Sequence, residues 1–172
     1  LQKIVIPKSV TKIGDEVFVN CTNLKEVSFE KNSKLKSIGK MCFCCAGLSF
    51  LSLPSNFIEF GKEWCSMTMN LENFEVLPSK QNCICLYKGE YLLSKSDPKS
   101  DVFDILLISS RKIEKAVIPS FIKKIADYAF DQCSKLIEVE CSSDSQLKII
   151  GEKAFCCCPI EKITLPSCVE RF

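Results

Sequence analysis

Along this chain, apolar residues fall at relative positions one, four and six of a short segment, and the segment keeps returning. It reads Leu1, Ile4, Ile6, then Leu24, Val27, Phe29, then Leu48, Leu51, Leu53, then Leu71, Phe74, Val76. After an interruption it resumes as Ile113, Ala116, Ile118, then Leu136, Val139, Cys141, then Ile160, Ile163, Leu165. The starts are 23, 24 and 23 residues apart, then 42 across the interruption, then 23 and 24. Alternation inside each segment predicts a half-buried strand. A fixed period of this size predicts a solenoid of stacked units.

Each strand is followed by proline or a polar turn, then by an apolar pair backed by Gly or Ala: Val10, Ile13, Gly14; Leu35, Ile38, Gly39; Phe57, Phe60, Gly61; Ile122, Ile125, Ala126; Leu147, Ile150, Gly151. A run ending near an aromatic and a cysteine comes next, as in Val17 to Cys21, Ala129 to Cys133 and Ala154 to Cys158, and these runs are expected to be short helical turns. One unit has too little core to fold alone, so its strand must pair in parallel with the next and its Phe must stack under the next Phe. The expected architecture is one α/β solenoid over residues 1–172. It should be right-handed, with one parallel β-sheet on the concave face and helical turns on the convex face. Leu24, Leu48, Leu136, Phe18, Phe43, Phe130 and Phe155 are its expected core. The second and sixth units gain two residues between strand and Gly (Glu30 to Lys34, Ser142 to Gln146) and lose one before the next strand, which implies two unit subtypes.

The frame Leu-x-x-Ile-x-Leu-Pro-x-Ser-Val-x-x-Ile-Gly-x-x-Ala-Phe-x-x-Cys-x-x-Leu is nearly intact in Leu1 to Leu24 and in Ile113 to Leu136. It resembles the BspA-like leucine-rich repeat class, and the spacing lies within the roughly 20–29 residues of leucine-rich repeats. That class includes large surface proteins of oral bacteria and of mucosal protist parasites such as trichomonads. The resemblance spans almost the whole chain and is specific to the fold, because the matching residues are core residues. It implies a leucine-rich-repeat solenoid at the cell surface or outside the cell, used in adhesion or host interaction, with no catalytic site to carry over. The third unit departs from the frame by placing Trp64-Cys65 where the class has Ala-Phe.

Residues 78–112 lack the Ile-Gly and Ala-Phe signals. Instead Cys83 to Tyr87, Tyr91 to Ser94 and Val102 to Ile108 read as strands, separated by Lys88-Gly89-Glu90 and a polar loop, so a β-meander replaces one turn. It reads as a structural variant of one unit, with a dedicated recognition hairpin as the alternative.

Composition removes most other functions. Lysines and glutamates alternate without a basic block and the net charge is +2, so nucleic acid is not an expected partner. No apolar stretch reaches the roughly 20 residues of a membrane helix. Histidine is absent, which removes the commonest general base and nitrogen metal ligand. No phosphate-cradling Gly loop, nucleophile motif or carboxylate pair stands out, so neither an enzyme nor a bound cofactor is expected. Leu1 already stands in the pattern without a leader, and Phe172 falls at an Ile-Gly-equivalent position, so the chain is expected to be a slice of a longer array.

Thirteen cysteines form an odd set whose spacing follows the repeat. Cys21, Cys42, Cys133, Cys141 and Cys158 occupy frame positions of small or apolar residues and are expected to be free and buried. Cys44, Cys45, Cys65, Cys83, Cys85, Cys156, Cys157 and Cys168 remain for chemistry. Cys42-x-x-Cys45 has zinc-ligand spacing, but no second pair matches it and Phe43 between the two belongs in the core, so no metal site is expected. Asn20-Cys21-Thr22 fits the glycosylation pattern.

A specificity has room on the outward strand positions. At the third position stand Lys3, Glu26, Phe50, Asn73, Lys115, Glu138 and Lys162, and at the fifth Val5, Ser28, Ser52, Glu75, Val117, Glu140 and Thr164. Parallel strands lie about 4.8 Å apart, so charge ladders are expected between Lys3 and Glu26 and among Lys115, Glu138 and Lys162. They either serve only solubility or flank a protein- or peptide-binding face. A cytoplasmic scaffold with reduced thiols is the alternative to a surface protein.

Overall fold

The computed structural model describes residues 1–56 and 59–172; Phe57, expected beside Phe60, lies outside them. In chain order the strands of the first half are β1 (Lys3–Ile6), β2 (Lys12–Ile13), β3 (Glu26–Phe29), β4 (Ser37–Ile38), β5 (Phe50–Pro54), β6 (Glu59–Phe60) and β7 (Asn73–Leu77). Then follow β8 (Ile84–Tyr87), β9 (Tyr91–Ser94), β10 (Ile105–Ser109), β11 (Lys115–Ile118), β12 (Lys124–Ile125), β13 (Glu138–Cys141), β14 (Ile149–Ile150) and β15 (Lys162–Thr164).

Seven turns carry the periodic strands β1, β3, β5, β7, β11, β13 and β15. Pairing is parallel and places like frame positions opposite one another: Ile4 on Val27, Val27 on Leu51, Leu51 on Phe74, and likewise Ala116 on Val139 and Val139 on Ile163. A slip of one residue would turn the apolar column outward, so the alternation itself sets the register. Leu24, Leu48, Leu136, Phe18, Phe43 and Phe130 are buried as expected. Phe155 is half-buried: it stacks on Phe130 at 5.0 Å on one side, and among the described residues no further Phe covers the other.

The expected single parallel sheet is two. β1-β3-β5-β7 and β11-β13-β15 are separate, because the segment joining them intervenes. Two more ladders run through the Ile-Gly positions: β2-β4-β6, and a mixed sheet ordered β14-β12-β10-β9-β8. The glycines there mark close backbone approach: a Cβ on Gly39 would collide with the backbone of Gly14 and Asp15, and one on Gly61 with Gly39 and Lys40.

The expected helical turns are absent; no helix occurs among the described residues. The physical reason is a pair of left-handed residues, four apart, in each of five turns: Glu16 and Asn20, Met41 and Cys45, Glu63 and Met67, Tyr128 and Gln132, Lys153 and Cys157, with φ between 50° and 63°. A left-handed residue ends an α-helix. The amide N–H groups reach the neighbouring turn instead, Glu16 to Lys40 O, Phe18 to Cys42 O and Asn20 to Cys44 O, each at 2.9 Å. Val19 and Cys21 close tight turns onto Glu16 O and Phe18 O. The arch is therefore a third between-turn ladder.

The 78–112 segment forms the expected meander, with its last strand at Ile105–Ser109. β10 replaces the missing Ile-Gly strand, pairing Leu106 with Ile125, while β9 and β8 add antiparallel strands on its other side. Both faces of the meander are used. Ile84, Leu92 and Ile108 join the core of the first half, and Tyr91, Leu93 and Leu106 that of the second.

Candidate binding face

The seven third-position residues are outward, but they form two rows. Lys3, Glu26, Phe50 and Asn73 stand opposite one another on β1, β3, β5 and β7. Lys115, Glu138 and Lys162 do the same on β11, β13 and β15. Strand alternation sends their neighbours Ile4, Val27, Leu51, Ala116 and Val139 inward, and this leaves the third positions on the solvent side. Lys3, Asn73, Lys115 and Lys162 are exposed, whereas Glu26, Phe50 and Glu138 are half-buried between their flanking side chains.

Both predicted ladders form. Lys3 Nζ lies 2.7 Å from Glu26. Glu138 lies between two cations, 2.7 Å from Lys162 and 3.2 Å from Lys115, and Lys115 also reaches Glu140 at 2.8 Å. Hydrogen bonds from Lys162 and then Lys115 hold the Glu138 carboxyl below its ordinary range. Glu140 and Glu138 raise Lys115, and Glu138 raises Lys162. Fifth-position Val5 and Val117 are 59% and 52% exposed, so apolar surface accompanies the charge rows. Ser52 is the exception on this face: it is buried, and its hydroxyl has no hydrogen-bond partner.

Hydrogen bonds from Arg111 N to Leu71 O and from Ser110 Oγ to Glu72 O attach the returning chain beside β7. The Arg111 guanidinium is buried, its Nη1 donating to Ala129 O at 3.0 Å and lying 3.7 Å from Cys133 Sγ. A hydrogen bond from Cys158 and the Arg111 charge lower the Cys133 pKa.

Burial does not follow the expected division of the cysteines: Cys44 and Cys65, outside the five frame positions, are buried as well. Cys42 and Cys133 are buried, and Cys21, Cys141 and Cys158 are half-buried. Cys42 and Cys45 do not act as a pair. Burial, then the nearby Cys65, push the Cys42 thiol up to about 12, while Cys45 Sγ lies 3.6 Å from Met67 Sδ and 3.7 Å from Cys44 Sγ. Cys65 fills the Phe position of the third turn and is buried, and Trp64 tilts against Phe60 at 4.9 Å. Asn20 is exposed on the arch and Cys21 behind it is half-buried.

Sequence spacing missed one grouping. Asp131, Cys156 and Cys157 present ligand atoms that all lie within 4.8 Å of one another. Nothing in a linear spacing rule joins a carboxylate to a thiol pair 25 residues on; only the in-register stacking of the arches does.

Two surface hollows hold about 490 and 510 Å³, the first lined by Asn32, Lys36, Asn56 and Lys80 and the second by Phe74, Glu75, Ile84 and Phe103. Neither lies over the ladders. Among the described residues no helix is long and apolar enough to cross a membrane.

Comparison with known proteins agrees with this geometry. The BspA type leucine rich repeat region matches residues 1–87 and 106–172, in six copies. No curated protein matches the chain. A leucine rich cell surface protein from Faecalibacterium prausnitzii is similar at 22% identity with a TM-score of 0.83, over 98% of this chain and 42% of its own. Leucine-rich repeat proteins from Eubacterium ventriosum and Bacteroides ovatus are similar at 19% identity, with TM-scores of 0.75 and 0.55. Each covers 99% of this chain, against 49% and 44% of their own. The chain thus spans less than half the length of these solved relatives, and at such identity they share its fold alone. With periodic core, in-register strands and repeat profile in agreement over most of its length, the chain belongs to the BspA-type leucine-rich-repeat family.

Proposed function

We propose that this chain is a non-enzymatic, surface-located binding module that contacts a protein partner through the outward face of its parallel sheets. The observation that carries the reading is the face itself: two in-register charge rows with Phe50 between Glu26 and Asn73, and with Val5 and Val117 open to solvent beside them. A repeat surface of this kind is the usual contact area of a solenoid. The name of the Faecalibacterium prausnitzii protein, a leucine rich cell surface protein, supports the location. Adhesion or host interaction is the role such a placement suits.

The test is adherence. Beads coated with the chain are compared on cultured epithelial cells with beads coated with the triple variant Glu26→Lys, Glu138→Lys, Phe50→Ala. Adherence should fall to the level of uncoated beads while the thermal midpoint stays nearly unchanged. Undiminished adherence of a folded triple variant moves the contact to the Gly89 hairpin or to the arch.

A further inference from the structure

The third and fifth turns meet on the arch side, across the place where the fourth turn has no arch of its own. In successive regular turns, the second left-handed residue donates its amide to a backbone carbonyl: Asn20 to Cys44, Cys45 to Ser66, Gln132 to Cys156. Met67 has no such carbonyl. Its amide donates to Asp131 Oδ2 at 2.7 Å, so a side chain replaces the backbone acceptor at the junction.

Asp131 is 2% exposed. Among the described residues it takes part in no ion pair, and the hydrogen bond from Met67 is the only one its carboxylate accepts. A buried carboxylate that forms no ion pair is costly unless something compensates its charge. The buried Arg111 guanidinium, whose charge acts together with that of Asp131 on Cys65 and Cys133, forms no ion pair with it. One step along the stack stand Cys156 and Cys157, their sulfurs 3.6 Å apart, and Asp131 brings a carboxylate oxygen within 4.8 Å of both. Metal–sulfur and metal–oxygen bonds of about 2.3 and 2.0 Å at a tetrahedral angle place two sulfurs about 3.8 Å apart and sulfur from oxygen about 3.5 Å. The sulfur pair already has that bite.

We propose that Asp131, Cys156 and Cys157 form a site for a thiophilic divalent cation of the zinc class, with solvent completing the shell. A cation here compensates the buried Asp131 charge and offsets the mutual repulsion of two adjacent thiolates. It also ties the fifth turn to the sixth at the junction where Asp131 holds the third. Cys157 supplies the open side, being exposed, so the site has an entry path. Cys44 and Cys45 form the same adjacent pair at 3.7 Å, but among the described residues no third ligand atom groups with them, and Val19 stands at the Asp131 position of the turn before them. They are the internal control. Both cysteines must lose a proton to bind. Affinity therefore falls as the solution is acidified.

The probe is Co2+, a coloured stand-in for Zn2+, titrated into the fully reduced chain without oxygen and then displaced by Zn2+. One equivalent should give a thiolate-to-cobalt charge-transfer band, and affinity should decline with pH as two protons compete. Cys157→Ser, at an exposed position, and Asp131→Asn should each weaken binding at least about tenfold. Cys45→Ser should leave it unchanged, and thermal melts of each apo variant check the fold. Absence of a one-equivalent band, weak binding scattered over many thiols, or a band that survives Cys157→Ser with undiminished affinity would each overturn the assignment.

Discussion

Phe130 shows what one residue contributes in this stack. It is wholly buried, lies against Phe155 at 5.0 Å and meets the Tyr91 ring edge-on at 6.1 Å. Truncation to Ala leaves a cavity between two turns and should cost about 3–5 kcal/mol in chemical denaturation. Phe155→Ala, at a half-buried position, should cost clearly less. The arch offers a second residue-scale test. Glu16 is exposed with φ of 58°. Glu16→Gly should be neutral or stabilising by up to about 1 kcal/mol, whereas Glu16→Val should destabilise by about 1–2 kcal/mol. In a helical turn the glycine would instead cost about 1 kcal/mol. This is where the sequence was hardest to read. The Gly-x-x-Ala-Phe spacing has helical periodicity, and of the ten arch residues with positive φ only Asn20 is of a type that favours that conformation. Glu, Met, Lys and Tyr carry no such signal, because the between-turn hydrogen bonds, not local preference, impose the angle.

At the scale of elements, the strands and the meander were legible because their apolar alternation has a period of two, and the Ile-Gly ladders were not, because two residues are too few to show one. The break in the main sheet was hidden as well: 42 residues between Leu71 and Ile113 do not say whether β11 pairs with β7. The meander is fastened by Asp104, whose carboxylate accepts the Ser96 amide at 2.8 Å and hydroxyl at 2.7 Å and lies 3.2 Å from Lys123. Burial opposes its ionisation, but the two Ser96 bonds and Lys123 outweigh burial and hold the carboxyl below the ordinary 3.8. A carboxyl lowered in the folded state contributes stability above its unfolded pKa, and that contribution is lost as pH falls through the lowered value. Stability should therefore decline as the solution is acidified below about pH 4. Asp104→Asn should remove that part of the decline and cost about 1–3 kcal/mol at neutral pH, read by urea unfolding at a series of pH values.

For the whole molecule, repetition explains both what could be read and what could not. Seven copies of one apolar frame specify stacking, register and core without any one copy being perfect, as Trp64-Cys65 shows in the third turn. The outward rows followed directly, since a residue between two core positions of a strand has to face away from the core. The Asp131–Cys156–Cys157 grouping did not follow, because it depends on the arches of the fifth and sixth turns stacking in register, which places a carboxylate beside a thiol pair far along the chain. Binding through the sheet face is the claim that matters most, and lysine labelling tests it by position. With the chain held on epithelial cells, Lys3, Lys115 and Lys162 on the sheet face should be protected from an amine-reactive reagent, while Lys62 and Lys153 on the arch and Lys88 on the hairpin react as in the free chain. Protection of the arch or hairpin lysines, with Lys3, Lys115 and Lys162 left reactive, would contradict the account.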